Sequence, residues 1–99
     1  MNLRHLAFLV ALAREQHFGR AARTCHVTQP TLSEAIRGLE DSLGAPLVVR
    51  RAQRFESLTP EGLRVVDWAR RILADVASLR QSLGELRATH DERGAQRIL

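Results

Sequence analysis

From Val65 onward, apolar residues return at alternating steps of four and three: Ala69, Ile72, Val76, Leu79, Leu83 and Leu86. This is the a/d seam of a helix that pairs with another helix, sustained for about three heptads. Just upstream, Thr59-Pro60-Glu61 supplies a capping hydroxyl, a proline at the first helical position and an acid at the positive end of the helix dipole. The pattern predicts a long helix over 60–88. Its seam serves either a second copy of the chain or the helix's own domain, and its length beside so small a domain favours the dimer. Trp68 and Leu73 lie off the seam and are expected to pack back on the domain, while Gly84 weakens the last turns.

The preceding residues, 1–59, read as one compact unit. Asn2 caps a helix to about Glu15, with Leu3, Leu6, Leu9, Val10 and Ala13 on its apolar face. Phe18 is placed to plug the space between this helix and a short Gly19–Cys25 helix, whose Ala21 and Ala22 permit close approach by another helix. After His26 and Val27, Thr28 caps a third helix with Pro30 in its first turn and Leu32, Ile36, Leu39 and Leu43 facing inward, and Gly44 ends it. Two short helices joined by so brief a turn form a helix-turn-helix whose second helix is the reader. Its first turn carries Gln29, Thr31 and Ser33, short polar groups suited to base edges or phosphate oxygens, although the same residues also suit an ordinary capped surface helix.

After Gly44 the period changes to that of strands. Leu47 to Arg51 and Arg54 to Leu58 flank Ala52-Gln53, which predicts a two-stranded hairpin with Arg50, Arg51 and Arg54 near its tip. Beside a helix-turn-helix such a hairpin is a wing for phosphate or minor-groove contact; in isolation its charges would only blunt exposed strand edges. Residues 89–99 read as a polar hinge followed by the opening strand of a further domain, over Ala95 to Leu99.

Composition narrows the function classes. The net charge is +4 and all fifteen basic residues are arginine, a usage that fits phosphate and guanine recognition and equally a GC-rich genome. The single Cys25 excludes an intramolecular disulfide and suits a reducing, cytoplasmic setting. The Leu6–Ala13 run is too short for a membrane span. His5, His17 and His90 lack metal-ligand spacing, and no nucleophile–base or paired-carboxylate arrangement is evident, so neither an enzyme nor a cofactor is expected in this stretch.

Taken in order, Met1-Asn2-Leu3-Arg4, Phe18 with Ala21-Ala22, and His26-Val27-Thr28-Gln29-Pro30-Thr31-Leu32-Ser33 resemble the N-terminal DNA-binding region of LysR-type transcriptional regulators. Ile36, Leu39-Glu40, Leu43-Gly44, Pro46-Leu47, Arg50, and Leu58-Thr59 with Gly62 continue the match over nearly the whole chain. The resemblance implies a mainly α fold: a winged helix-turn-helix over 1–59, then a dimerising linker helix over 60–88. It further implies a bacterial regulator that binds inverted-repeat promoter DNA as a homodimer or, at full length, a tetramer. A small-molecule effector would bind a separate periplasmic-binding-protein-like domain.

Carried onto this sequence, the resemblance implies base or adjacent backbone contacts from Gln29, Pro30 and Thr31, and phosphate contacts from Thr28 and Ser33. It adds DNA contacts from Arg37 and from the wing arginines, of which Arg50 matches best. Three departures stand out. Position 34, often basic in that family, is Glu34, which repels phosphate or accepts from a cytosine amine. Val48 and Val49 replace an aromatic and an acid, and the wing is one residue longer than the common pattern. Cys25-His26 resembles a pair in the family's peroxide-sensing branch, whose sensing cysteines belong to the effector domain. A cysteine at a short helix end among alanines is ordinarily a small buried hydrophobe, the alternative being a redox switch beneath the reading helix. The rival from another class is a heterotypic coiled-coil module with a degenerate helix-turn-helix.

Overall fold

The computed structural model describes the backbone of residues 1–98 and the side chains of residues 1–89. Its elements are α1 (Leu3–Glu15), α2 (Phe18–Thr24), α3 (Gln29–Leu43), β1 (Val48–Arg51), β2 (Arg54–Leu58) and α4 (Pro60–Ile98). The arrangement is a winged helix-turn-helix followed by a long helix, and the molecule measures 67 × 24 × 20 Å because α4 runs far beyond the domain it leaves.

Local chemistry sets the helix ends. The Asn2 side chain accepts from the His5 amide at 2.8 Å, and the Thr28 hydroxyl accepts from the Thr31 amide at 3.3 Å, each satisfying an amide that has no partner within its helix. Gly44 closes α3 in the left-handed region, and its amide reaches the Glu40 carbonyl at 2.8 Å. α2 begins one residue earlier than the sequence suggests, because His17 caps it: the ring Nδ1 accepts from the Arg20 amide at 3.0 Å.

The core joins Leu6, Phe8, Leu9, Leu12, Phe18, Leu32, Ile36, Leu39 and Leu47 to the base of α4 through Val66 and Ala69. The apolar face of α1 is turned from the expected stripe: Leu3 is exposed, whereas Phe8, Ala11 and Leu12 are buried. The reason is that α1 packs against α2, α3 and α4 together, so a stripe fitted to one partner is too narrow. Leu43, expected inside, is also exposed, since it lies on the last turn of α3 where the chain leaves the core.

The wing is a two-stranded antiparallel hairpin. Val48 pairs with Leu58 and Val49 with Ser57, then the register slips so that Arg50 pairs with Phe55, leaving Glu56 as the extra residue of a bulge. The bulge turns Phe55 and Leu58, three positions apart, both toward the core, where strict alternation would have sent one outward.

α4 departs from expectation in three ways. Its backbone stays helical through Gly94 to Ile98, in place of the hinge and strand anticipated over 89–99; Leu99 lies outside the described residues. Gly94 costs only about 1 kcal/mol in a helix interior, and its flanking Asp-Glu-Arg and Ala-Gln-Arg are ordinary helix formers. Ala69, assigned to the dimerising seam, is fully buried in its own domain. Trp68, expected to pack back on the domain, is 57% exposed with the Arg71 guanidinium 5.3 Å from its ring. Both follow from one rotation: Val65, Val66 and Ala69 form the docking face, which leaves Trp68 on the outer flank with Ile72.

Candidate nucleic-acid interface

The reading surface consists of the uncovered face of α3, the wing turn and the start of α2. Because Leu32, Ala35, Ile36 and Leu39 are buried, helical periodicity sends Pro30, Glu34 and Arg37 to the opposite, exposed face. Gln29 and Ser33 lie on the flank toward the wing and share an open crevice with Phe18, Arg50 and Gln53. Thr31 lies on the other flank, beside Arg4 and His5 of α1. The Thr28 and Thr31 hydroxyls are 2.8 Å apart, so the capping residue is engaged within the turn while Thr31 keeps its outward side. The first turn of α3 therefore offers amide, hydroxyl and helix-terminus donors in one patch, as anion or base-edge recognition requires.

The wing arginines, grouped as one set in the sequence, separate in space. Arg51 is exposed at the tip, 3.6 Å from Glu56, and Arg54 lines a crevice with Gln16, His17 and Gln29. Arg50 turns inward. Its Nη1 is 3.3 Å from Glu40 Oε1, and its guanidinium is 5.4 Å from the Phe18 ring. Arg37 remains on the exposed face with the others of α3, and Glu34 beside it has no ion-pair partner among the described residues.

Two residues join this surface that the sequence did not single out. Gln53, at the hairpin tip, lines both crevices between wing and α3. His17 lines the second, with its Nδ1 spent on the α2 cap and its ring next to the Gln29 side chain across Gly19. Neither carries a local sequence signal, since their position depends on how hairpin and helices meet.

Cys25 is half-buried behind α2, packed against the core. Burial holds its thiol pKa above the ordinary value, and the positive charges of Arg14 and Arg4 offset only part of that rise. A thiol kept protonated in this way is a poor nucleophile. Among the described residues no group of histidines, cysteines and acids is arranged to hold a metal ion; the His90 side chain lies outside them. No helix of the described residues is long and apolar enough to cross a membrane.

Comparison with known proteins agrees with this geometry. Residues 3–63 match the family model described as bacterial regulatory helix-turn-helix protein, lysR family. The chain is 49% identical over 81 residues to the DNA-binding transcriptional dual regulator OxyR of Escherichia coli strain K12, covering 82% of this chain and 26% of that protein. It thus spans about a quarter of the length of the curated relatives it matches over 81 residues. Among solved structures, a full-length OxyR variant from Pseudomonas aeruginosa superposes with a TM-score of 0.77 at 44% identity, covering 82% of this chain and 27% of that one. The BenM DNA-binding domain in complex with catB site 1 DNA superposes with a TM-score of 0.81 at 35% identity, covering 87% of this chain and 96% of that one.

Proposed function

We propose, since this chain belongs to the lysR family of bacterial regulatory helix-turn-helix proteins, that it is the part of a transcriptional regulator that reads promoter DNA. The observation carrying this reading is the uncovered polar first turn of α3 flanked by an arginine-bearing wing. In the proposal α3 enters the major groove, where Gln29, Pro30 and Thr31 meet base edges, Thr28, Ser33 and Arg37 hold phosphates, and Arg51 and Arg54 approach the adjacent backbone or minor groove. The likeness to a DNA-bound domain over almost that domain's full length supports this reading over a coiled-coil module with a degenerate helix-turn-helix.

We further propose a homodimer. Beyond Leu63 in the first turn, the large apolar residues left uncovered along the described part of α4 are Trp68, Ile72, Leu79, Leu83 and Leu86, with Val76 half-covered between them. They form one stripe at helical spacing, the arrangement that a second α4 would cover. Two such subunits present two α3 helices to an inverted repeat, with α4 setting their separation. An effector-binding domain following α4 belongs to the same proposal, as do a cytoplasmic location and a tetrameric full-length protein.

Selection from a random duplex library tests this directly. The expected result is an enriched inverted repeat, bound with an affinity that falls steeply with salt, by about 0.9 in log K per log unit for each neutralised phosphate. Gln29→Ala is expected to cost about 1 to 3 kcal/mol on that site and to relax its sequence preference. Recovery of no enriched motif, or binding indifferent to salt, would refute the proposal.

A further inference from the structure

Glu40, toward the end of α3, gathers three donors from the wing. Its Oε2 accepts from the Leu47 amide at 2.8 Å and from the Val48 amide at 3.3 Å, while its Oε1 faces Arg50 Nη1 at 3.3 Å. The two side chains are only 12% and 19% exposed, and the guanidinium rests over Phe18 of α2. Phe18 in turn meets Phe55 of β2 edge-on, with centroids 6.5 Å apart. One carboxylate therefore ties the reading helix to the foot of the wing, and one guanidinium ties that carboxylate to the other helix of the motif.

A two-stranded hairpin is at best marginally stable alone, so its angle to α3 depends on what holds its foot. The amides at that foot are the ones Glu40 holds. Arg50 itself is not extended toward solvent: its Nε and Nη2 are buried without a partner among the described residues. We infer that Glu40 and Arg50 are positioning residues, a paired strut that fixes the wing-tip arginines relative to α3, and that Arg50 does not itself neutralise a phosphate. The inference rests on the DNA-binding reading above and gives Arg50, which the family resemblance counts among the DNA contacts, a different role. Contacts read by a helix and a wing tip at once tolerate only small misplacement, so the strut bears on affinity without touching DNA.

The test measures binding of the 99-residue chain to its selected duplex as a function of salt. Glu40→Gln and Arg50→Gln are each expected to weaken binding about tenfold, and the double variant by about the same factor, because the residues act as one unit. The slope of log K against log salt should stay that of wild type in all three. In an Arg51→Ala/Arg54→Ala background, which removes the groups being positioned, the effect of Glu40→Gln should largely vanish. A slope reduced by about one in Arg50→Gln marks a phosphate contact and overturns the inference; so does an effect of Glu40→Gln undiminished in the Arg51→Ala/Arg54→Ala background. A second measurement needs no variant to fold: in wild type, the Arg50 side-chain Nε–H resonance should hold its position as duplex is added while that of Arg54 moves. Movement of Arg50 as large as that of Arg54 also overturns it. A wild-type chain that binds no duplex defeats the DNA-binding reading itself, an outcome distinct from either.

Discussion

Gly62 in the first turn of α4 lies so close to Leu47 at the entrance to β1 that any Cβ at position 62 would overlap the Leu47 carbonyl oxygen. The approach is held by the Thr59 amide on that same carbonyl at 3.0 Å and by the Thr59 hydroxyl, which bonds to the Pro46 carbonyl and accepts from the Gly62 amide at 2.9 Å. Gly62→Ala is expected to destabilise the domain by about 1 to 3 kcal/mol, because backbone on both sides of the contact must move. Gly38→Ala, where an added methyl meets nothing, should instead stabilise by about 0.5 to 1 kcal/mol. Urea titrations of the two variants check both signs.

The wing turns on Ala52 and Gln53, whose φ values of 52° and 61° place both in the left-handed region. A two-residue turn of this kind favours Asn-Gly, and an ordinary side chain there costs roughly 1 to 2 kcal/mol per residue. Replacing Ala52-Gln53 by Asn-Gly should raise the melting temperature by several degrees, given about 4 to 8 °C per kcal/mol for a domain of this size. An unchanged or lower value by calorimetry would contradict the strained turn.

Along α4, Leu79→Asp places a charge in the centre of the uncovered stripe. The variant should sediment as a monomer at concentrations where the parent is a dimer, with no loss of helical signal from the domain. Trp68, the chain's sole tryptophan, gives a second readout, since a partner helix over it would shift its emission to shorter wavelength as concentration rises. Emission independent of concentration, together with unchanged sedimentation of Leu79→Asp, would argue against pairing through this stripe.

Glu34 brings a negative charge to the exposed face of α3 between Pro30 and Arg37. Glu34→Gln is expected to tighten binding to non-specific duplex severalfold by removing repulsion from phosphate, and to alter preference at one base pair by about 1 to 3 kcal/mol if the carboxylate accepts from a base amine. Competition assays against non-specific duplex measure the first effect and a repeated selection the second.

The Cys25 thiol, with its pKa raised by burial, should react with iodoacetamide more slowly than a cysteine in an unstructured peptide, and its rate should climb only at pH above the ordinary thiol range. The sign for stability follows from the same shift. A folded-state pKa above the unfolded value favours the fold while the thiol is protonated, and that contribution is lost as pH rises past the unfolded and then the folded value. Cys25→Ser should leave DNA binding equally insensitive to mild oxidant. Alkylation at neutral pH as fast as in the peptide would refute this.

What could be read from the chain is what neighbouring residues decide among themselves. The caps at Asn2, Thr28 and Thr59, the Gly44 stop and the hairpin about Ala52-Gln53 all lie where local chemistry places them. What escaped depends on several elements at once. The buried face of α1 answers to three partners, Ala69 and Trp68 exchange roles through the docking angle of α4, and Arg50 turns inward because Glu40, ten residues earlier, waits for it. Of the interface, the first turn of α3 was legible as a capped polar start; the separation of Arg50 from Arg51 and Arg54, and the arrival of Gln53 and His17, required the packed domain.

The length of α4 has a metrological consequence. Thirty-nine residues at 1.5 Å each make a rod of about 58 Å, clamped at one end through Val65, Val66 and Ala69. A tilt of about 5° at that clamp sweeps the far end, about 44 Å beyond Ala69, through about 4 Å, more than the 3.4 Å step between base pairs. In the dimer proposed through α4, one methylene gained or lost beneath Ala69 would be magnified by this lever into a change in the spacing of the two α3 helices.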